Sequence, residues 1–193
     1  MRIALTIAGL AIVALSAAAV QGGSARASSS CPAESVAKIG PGIGLEPLPP
    51  GPPRQDGGIF DGIGVSLDEM LADAPLVFVG RVSRVGGSEH VGGSLTVHRT
   101  RFEVLCALRG DMTALVDIAQ FDGSDAFPFE VGETHLVFAH ELSLGPKRYR
   151  ALVPYGYDQG MYPRIADDVF RNRFNGSIEL DDLVPRLNEV PTT

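Results

Sequence analysis

The segment Leu95–Leu108, LTVHRTRFEVLCAL, decides the fold, because core-type and charged residues alternate along its central part. Successive side chains of a β-strand point to opposite faces. One predicted face carries Thr100, Phe102, Val104, Cys106 and Leu108. The other face carries Arg99, Arg101 and Glu103. The pattern predicts a long strand with one face against a core and the other in water, as is common in antiparallel sheets.

Four further segments around this strand also have the composition of strands. The first is Pro75–Val85, PLVFVGRVSRV, in which the mid-strand glycine suggests a bend such as a barrel corner. We interpret Gly86–Gly93 as a flexible hairpin loop leading into the next strand. The other three strands are predicted at Leu115–Phe121, His135–His140 and Arg148–Val153. Five short strands with Gly-rich turns predict a mainly β fold, a small closed or nearly closed barrel.

Helical patterns lie before and after the barrel. Ser66 and Glu69 form a capping box, and an apolar stripe follows at Leu67, Met70 and Leu71. This short helix must end before Pro75.

The C-terminal part predicts short strands at Tyr162–Ile165 and Val169–Arg171, followed by a helix over Leu180–Leu187. Because proline is disfavoured in the interior of a helix, Pro185 leads us to expect that this helix begins late, near Asp182. Between the second and third predicted strands, Arg109-Gly110-Asp111 is read as a turn rather than as an adhesion tripeptide.

The N-terminal third has the composition of an export signal and a linker. Residues 1–27 combine a positive start, the apolar run Ile3–Val20 and the small-residue pattern Ser24-Ala25-Arg26-Ala27, which predict a cleaved secretory signal peptide. An uncleaved anchor is the alternative, because the run nearly reaches membrane-spanning length. Residues 28–64 are rich in Gly, Pro and Ser and predict an extended, mobile linker, or less simply a Pro-rich ligand segment. The barrel is placed at residues 65–155 and a C-terminal extension at 156–193.

The net charge narrows the class of partner. Cleavage after residue 27 leaves 14 basic against 23 acidic residues, a net charge of −9. Nucleic acids and anionic membrane surfaces require a basic footprint, so we expect neither as a partner once the signal is removed. The predicted location is secreted or periplasmic.

The chain has two cysteines, Cys31 and Cys106. An exported protein permits a disulfide between them. The alternative is two unpaired thiols, with Cys106 buried as a small apolar residue. The sequence does not decide between the two.

No catalytic or metal-binding pattern emerges from the titratable residues. His135 and His140 lie five positions apart on one predicted strand and therefore face opposite sides. Asp122-Gly123-Ser124-Asp125 lacks the further ligands of a calcium loop, so we interpret it as a turn. We expect no metal, no cofactor and no enzymatic activity.

Several segments together resemble the netrin-like module, a family that includes the N-terminal domain of the tissue inhibitors of metalloproteinases (TIMP-like) and bacterial secreted proteins. The resemblance spans Leu67–Val153 and is carried by LVFVGRVSRV, by TRFEVLCALRG, by VDIAQF and by FPFEVGETHLVFA. It implies a five-stranded OB-type β-barrel with a short preceding helix. It also implies that Asp125–Glu133 connects the third and fourth strands, with Phe127 and Phe129 over a barrel end and Gly132 turning the chain into the strand.

The resemblance implies binding rather than catalysis. We expect a protein partner at the barrel end, with a metalloprotease suggested by analogy alone. The predicted contact residues are Asp122, Gly123, Ser124, Asp125, Phe127 and Phe129, with the Gly86–Gly93 loop beside them. Cysteines usual in the family are missing here, and cleavage after Ala27 would leave Cys31 without a free amine for zinc. An envelope-associated structural protein is the alternative, and an unrecognised enzyme is the third possibility.

Overall fold

The structure is a computed structural model that describes residues 39–40, 64–92, 95–121, 128–144 and 149–189. The predicted signal peptide, Cys31, most of the predicted linker and five of the six predicted contact residues, 122–125 and 127, lie outside these ranges.

The described residues form ten strands, two α-helices and one 3-10 turn. In chain order they are β1 (Ile39–Gly40), α1 (Leu67–Asp73), β2 (Leu76–Gly92), β3 (Leu95–Arg109), β4 (Met112–Thr113), β5 (Leu115–Phe121), β6 (Thr134–Leu144), β7 (Tyr149–Pro154), the 3-10 turn (Tyr157–Gly160), β8 (Met161–Ala166), β9 (Val169–Asn172), β10 (Gly176–Glu179) and α2 (Leu180–Glu189). The prediction of a mainly β fold is confirmed. Within the described ranges, no helix is long and apolar enough to cross a membrane.

Eight strands form one sheet in the order β10-β9-β8-β6-β2-β3-β5-β7, and β6 also pairs with β7. Five of them therefore run round a partial ring: β2, β3, β5, β7 and β6. The junction between β5 and β7 is parallel and consists of a single residue pair, Ile118 opposite Leu152. The five predicted barrel strands are all present, but their ring is almost open at this junction, which we call the seam.

The interior of the ring is one apolar cluster. All five ring strands contribute to it through Phe78, Val82, Phe102, Val104, Ala107, Val116, Ile118, Val137, Ala139 and the partly buried Leu152. The rings of Phe78 and Phe102 meet edge to face with centroids 6.0 Å apart, a favoured geometry for aromatic pairs. The prediction that Phe78, Phe102 and Val104 line a common interior is confirmed.

A second cluster packs the two helices against the other face of the sheet. It combines Met70 and Leu71 of α1 with Leu180, Leu183, Val184 and Leu187 of α2 and with sheet residues that include Phe138 and Tyr162. The predicted capping box of α1 is present, with Ser66 and Glu69 bonded reciprocally. The prediction of a late start for α2 is wrong, because the helix begins at Leu180 and contains Pro185.

A buried arginine joins the ends of the two helices. Arg109 is 7 % exposed. Its Nη1 donates to the carbonyl oxygens of Leu71 and Ala74, the latter at 3.3 Å, and its Nη2 donates to that of Leu187 at 2.8 Å. Four positions after each bonded leucine, beyond the end of the helix, the sequence has a proline, which has no N–H to offer. Arg109 therefore supplies donors that the helices lack.

Two β-bulges change what the alternation predicted. The prediction of a loop at Gly86–Gly93 is wrong for residues 86–92, because these residues continue β2 and pair with β3. Val85 pairs with Thr100 and Ser88 with His98, so Gly86 and Gly87 sit together in a bulge. Glycine tolerates the backbone conformation of a bulge. Because glycine is also common in turns, the pair Gly86-Gly87 indicated a loop when only the sequence was considered.

The second bulge lies in β3. Val79 pairs with Cys106 but Gly80 pairs with Val104, which leaves Leu105 as an extra residue. Beyond it the phase of the strand reverses. Cys106 therefore belongs to the helix-side cluster, as does Leu108, whereas Phe102 and Val104 face the ring interior. The prediction that all five core-type residues of this strand share one face is wrong for Cys106 and Leu108.

The described cysteine is buried beneath the helices. Cys106 is 1 % exposed and is not a free thiol. Because Cys31 lies outside the described ranges, a bridge between the two stays a prediction. Within the predicted linker, Ile39–Gly40 runs parallel to β4.

Candidate functional site

The connector between β5 and β6 turns into β6 at Gly132, as the sequence predicted. Gly132 has a φ of +97°, and its N–H donates to the carbonyl of Val82 at 2.8 Å. A φ in this region suits glycine far better than other residues. Gly132 therefore turns the chain into β6 and fixes the connector against β2.

Phe129 is the one predicted contact residue that the structure describes. It is 7 % exposed, and its ring meets those of Phe102 and His135 edge to face at 5.3 and 5.2 Å. Phe129 thus covers this end of the ring interior, as expected. Because its ring points inward, it supports the connector rather than offering a free surface.

His135 belongs to this covered end and is fully buried. Its Nε2 lies 3.3 Å from Oε2 of Glu133. Burial lowers the pKa of His135, while the Glu133 carboxylate opposes this shift. His135 is therefore neutral at pH 7 and acts as part of the packing.

His140 lies on the opposite face of β6, as its spacing from His135 predicted. The two rings contact different neighbours: His135 meets Phe102 and Phe129, whereas His140 meets Tyr155 at a centroid distance of 5.4 Å. In the described part of the chain no three His, Cys, Asp or Glu residues gather in a metal-binding arrangement. The two histidines do not form a shared site.

An apolar recess of about 240 Å³ lies across the seam. Its lining comes from β5, β6, β7 and the turn after β7: Ala119, Gln120, Phe121, His140, Leu142, Val153, Pro154, Gly156 and Tyr157. Ile118 and Leu152 face the interior, so their neighbours Ala119 and Val153 face outward into the recess. The near-open seam therefore leaves a concavity on the outer wall of the ring.

One wall of the recess is an aromatic residue in an unusual backbone conformation. Tyr157 has a φ of +61°, its side chain is 44 % exposed, and its ring lies 6.2 Å from that of Phe121. A positive φ is rare for a bulky residue and persists only where its surroundings enforce it. Such strain often marks a functional position.

The turn after β7 is held in place by a network of buried polar groups. The side-chain amide of Asn172 donates to the carbonyl oxygens of Asp158, Gln159 and Met161 at 3.2, 3.0 and 2.8 Å. The side-chain oxygen of Gln159 accepts from the backbone N–H of Val65 at 2.6 Å. The position of Tyr157 is thus fixed by β9 and by the start of α1.

Three described lining residues carry polar side-chain atoms: Gln120, His140 and Tyr157. The Nδ1 atom of His140 is buried and has no hydrogen-bond partner among the described residues. Burial lowers the pKa of His140, so the imidazole is neutral at pH 7. Among the described residues that line the recess, none is Asp, Glu, Lys or Arg, and most of this described lining is apolar.

Sequence reasoning did not predict this recess. Its described residues come from three separate segments of the chain that only the ring topology brings together. The available signal was weak: Phe121 ends a predicted strand, and Pro154, Tyr155 and Tyr157 follow another.

The chain matches no protein-family model, and no curated protein matches it.

Proposed function

We propose that this protein is a secreted, non-catalytic binding module built on a netrin-like, OB-type barrel. Strand order supports the fold assignment. Along the sheet, β6-β2-β3-β5 places the fourth ring strand beside the first, which is a Greek key. The fifth strand, β7, returns between β5 and β6. An OB-type fold is a partly open Greek-key barrel of five strands.

The observation that carries the binding proposal is the recess at the seam. It is concave, mostly apolar and has a polar group at its wall, features that mark recognition sites on rigid scaffolds. The residues that join β5 to β6, 122–133, follow Phe121 of its aromatic wall directly in the sequence. We therefore place the partner contact on the connector and the recess together.

A protein is the partner class that fits this surface. The negative net charge disfavours nucleic acid and anionic membranes. A recess of about 240 Å³ is smaller than the ~300–1,000 Å³ typical of small-molecule sites. It suits a single anchoring side chain, which is how hot spots in protein interfaces are commonly built.

Binding rather than catalysis is favoured by the separation of the titratable groups. A general base requires access to substrate and a neighbour that positions it. His135 has a carboxylate neighbour but no exposed surface, and His140 lines the recess but its Nδ1 has no hydrogen-bond partner among described residues. A protease-inhibitor role stays an analogy, and a metalloprotease panel with the exported protein would test it directly.

The proposal is tested by capture of partners from the secreted fraction with the exported protein as bait. A matched bait carries Gly-Ser residues in place of 122–127, which keeps the chain length. We expect proteins that bind the native bait and not the matched one. Identical capture by both baits, or no saturable capture by the native bait, would refute binding through this surface.

A further inference from the structure

We propose that Asn175 is a site of spontaneous deamidation and that its contact with the start of α1 sets the rate of this modification. Asn175 ends the turn between β9 and β10, and Gly176 begins β10. The chain has two other asparagines, Asn172 and Asn188, and these are followed by Arg and Glu rather than by Gly. The modification is independent of the proposed binding function.

The reaction requires the chain itself and water. The backbone nitrogen of Gly176 attacks Cγ of Asn175, and the new N–C bond closes a succinimide ring. The bond between Cγ and Nδ2 breaks, and Nδ2 leaves as ammonia with the proton from the Gly176 nitrogen. One water molecule then opens the ring at either carbonyl, which yields aspartate or isoaspartate. Asparagine is among the labile residues of proteins.

The position of Gly176 favours this attack. Glycine has no Cβ beside the attacking nitrogen, and a Cβ built at Gly176 would meet nothing within 4 Å. Gly176 is also exposed, so water has access to the ring. Asn172 differs, because it is buried and its side-chain amide donates to three carbonyl oxygens. These differences single out Asn175 among the three asparagines.

The start of α1 holds the side chain that reacts. Nδ2 of Asn175 donates to the carbonyl oxygen of Val65 at 3.1 Å. Val65 precedes Ser66, the N-cap of α1, and its N–H donates to Oε1 of Gln159 at 2.6 Å. Because Nδ2 is the atom that leaves, its bond to Val65 must break before ammonia departs. The rate in the folded protein therefore depends on local opening at the start of α1.

The product of the reaction weakens the same contact. A carboxylate has no hydrogen to donate, so it cannot replace the bond to the carbonyl oxygen of Val65. Isoaspartate also adds one backbone carbon next to Gly176, which pairs with Asn172. Val65 lies close to Gly156 of the recess lining, since a Cβ at Gly156 would be 2.8 Å from Cγ2 of Val65. Deamidation at Asn175 therefore reaches the turn that lines the recess.

Peptide mapping by mass spectrometry, on purified protein incubated at neutral pH and sampled over time, tests the site. We expect Asn175 to convert ahead of Asn172 and Asn188. Conversion in the folded protein should be about two- to tenfold slower than in the chain unfolded by urea, the factor that one net hydrogen bond provides. Conversion of Asn188 at the same rate as Asn175, or an unmodified Asn175 in the unfolded chain, would overturn the assignment.

Ser66→Ala tests the dependence on α1. Loss of the N-cap loosens the start of the helix, so Asn175 should convert about two- to tenfold faster in the folded variant than in the native protein. Ser143→Ala, at an exposed position of β6, is the matched control and should keep the native rate. Equal rates in the two variants would reject the contact with α1 as the step that sets the rate. The dispersion of the amide spectrum verifies that each variant is folded.

Asn175→Asp reproduces one product and tests its consequence. In a ¹⁵N-labelled protein the amide resonances of Val65 and Gly156 should shift relative to those of the native chain. Asn188→Asp makes the same chemical change at an exposed position of α2 and should leave both resonances in place. Unchanged resonances in Asn175→Asp would reject the effect of deamidation on the recess.

Discussion

Replacing Arg109 with methionine is expected to lower the free energy of unfolding by about 2–5 kcal/mol. The variant keeps much of the apolar stem but removes the donors to three carbonyl oxygens, those of Leu71, Ala74 and Leu187. A buried acceptor left without a partner costs about 1–3 kcal/mol. A cation at a helix C-terminus contributes a further ~0.3–1 kcal/mol.

One effect acts in the opposite direction. Burial lowers the pKa of Arg109, which shows that the folded surroundings disfavour its charge. Removing the charge recovers this desolvation cost, so the expected total lies below the sum of the lost bonds.

Equilibrium unfolding in guanidinium chloride, followed by far-ultraviolet circular dichroism, measures the difference. The matched control is Arg150→Met, because Arg150 pairs with Glu141 on the surface with 70 % of its side chain exposed. That control should change stability by no more than about 0.5 kcal/mol. An Arg109→Met protein within about 1 kcal/mol of the native one would refute the idea that this guanidinium holds the two helix ends.

Three further predictions concern single positions. Gly110→Ala should lower the free energy of unfolding by more than about 2 kcal/mol, because the φ of Gly110 is +78° and a Cβ would lie 2.5 Å from the carbonyl oxygen of Pro75. Gly132 has a φ of +97° but open space around it. Gly132→Ala should therefore cost only about 1 kcal/mol in the same denaturation assay. Ser66→Ala removes the N-cap of α1 and should cost about 1 kcal/mol, seen as a lower midpoint. Burial lowers the pKa of His135 below 6.5. As the pH falls below that value, the unfolded chain gains a proton before the folded protein does, so the free energy of unfolding falls. His135→Gln should show a shallower loss of unfolding free energy between about pH 7 and pH 5, and an unchanged slope would contradict the assignment.

The strands and helices were predictable where local pattern alone specifies them. Alternation in Leu95–Leu108 located β3, and Ser66 with Glu69 located the start of α1. Both signals depend on near neighbours in sequence. The prediction of five ring strands was correct for the same reason.

Features that depend on distant partners were not predictable. The bulge at Leu105, which sends Cys106 to the helix side, arises from the register with β2. The glycines at 86 and 87 signal a turn locally, yet pairing with β3 keeps them in a strand. β10 is four residues long and is too short for a periodic signal.

The recess and the buried arginine show the same limit. The recess exists because β7 meets β5 at one residue pair, which no local pattern encodes. The role of Arg109 had a sequence signal, since a proline follows both Leu71 and Leu187 by four positions. That signal becomes meaningful only when the two helix ends are known to meet.

The central claim is that five strands enclose one apolar interior and leave a seam between β5 and β7. Nuclear Overhauser effects between Ile118 and Leu152 test it most directly. The account predicts backbone cross-peaks between these two residues and contacts from the Leu152 methyls to interior side chains such as Ile118. A strand β7 that shows cross-peaks to β6 alone, with Leu152 in contact with solvent, would contradict it.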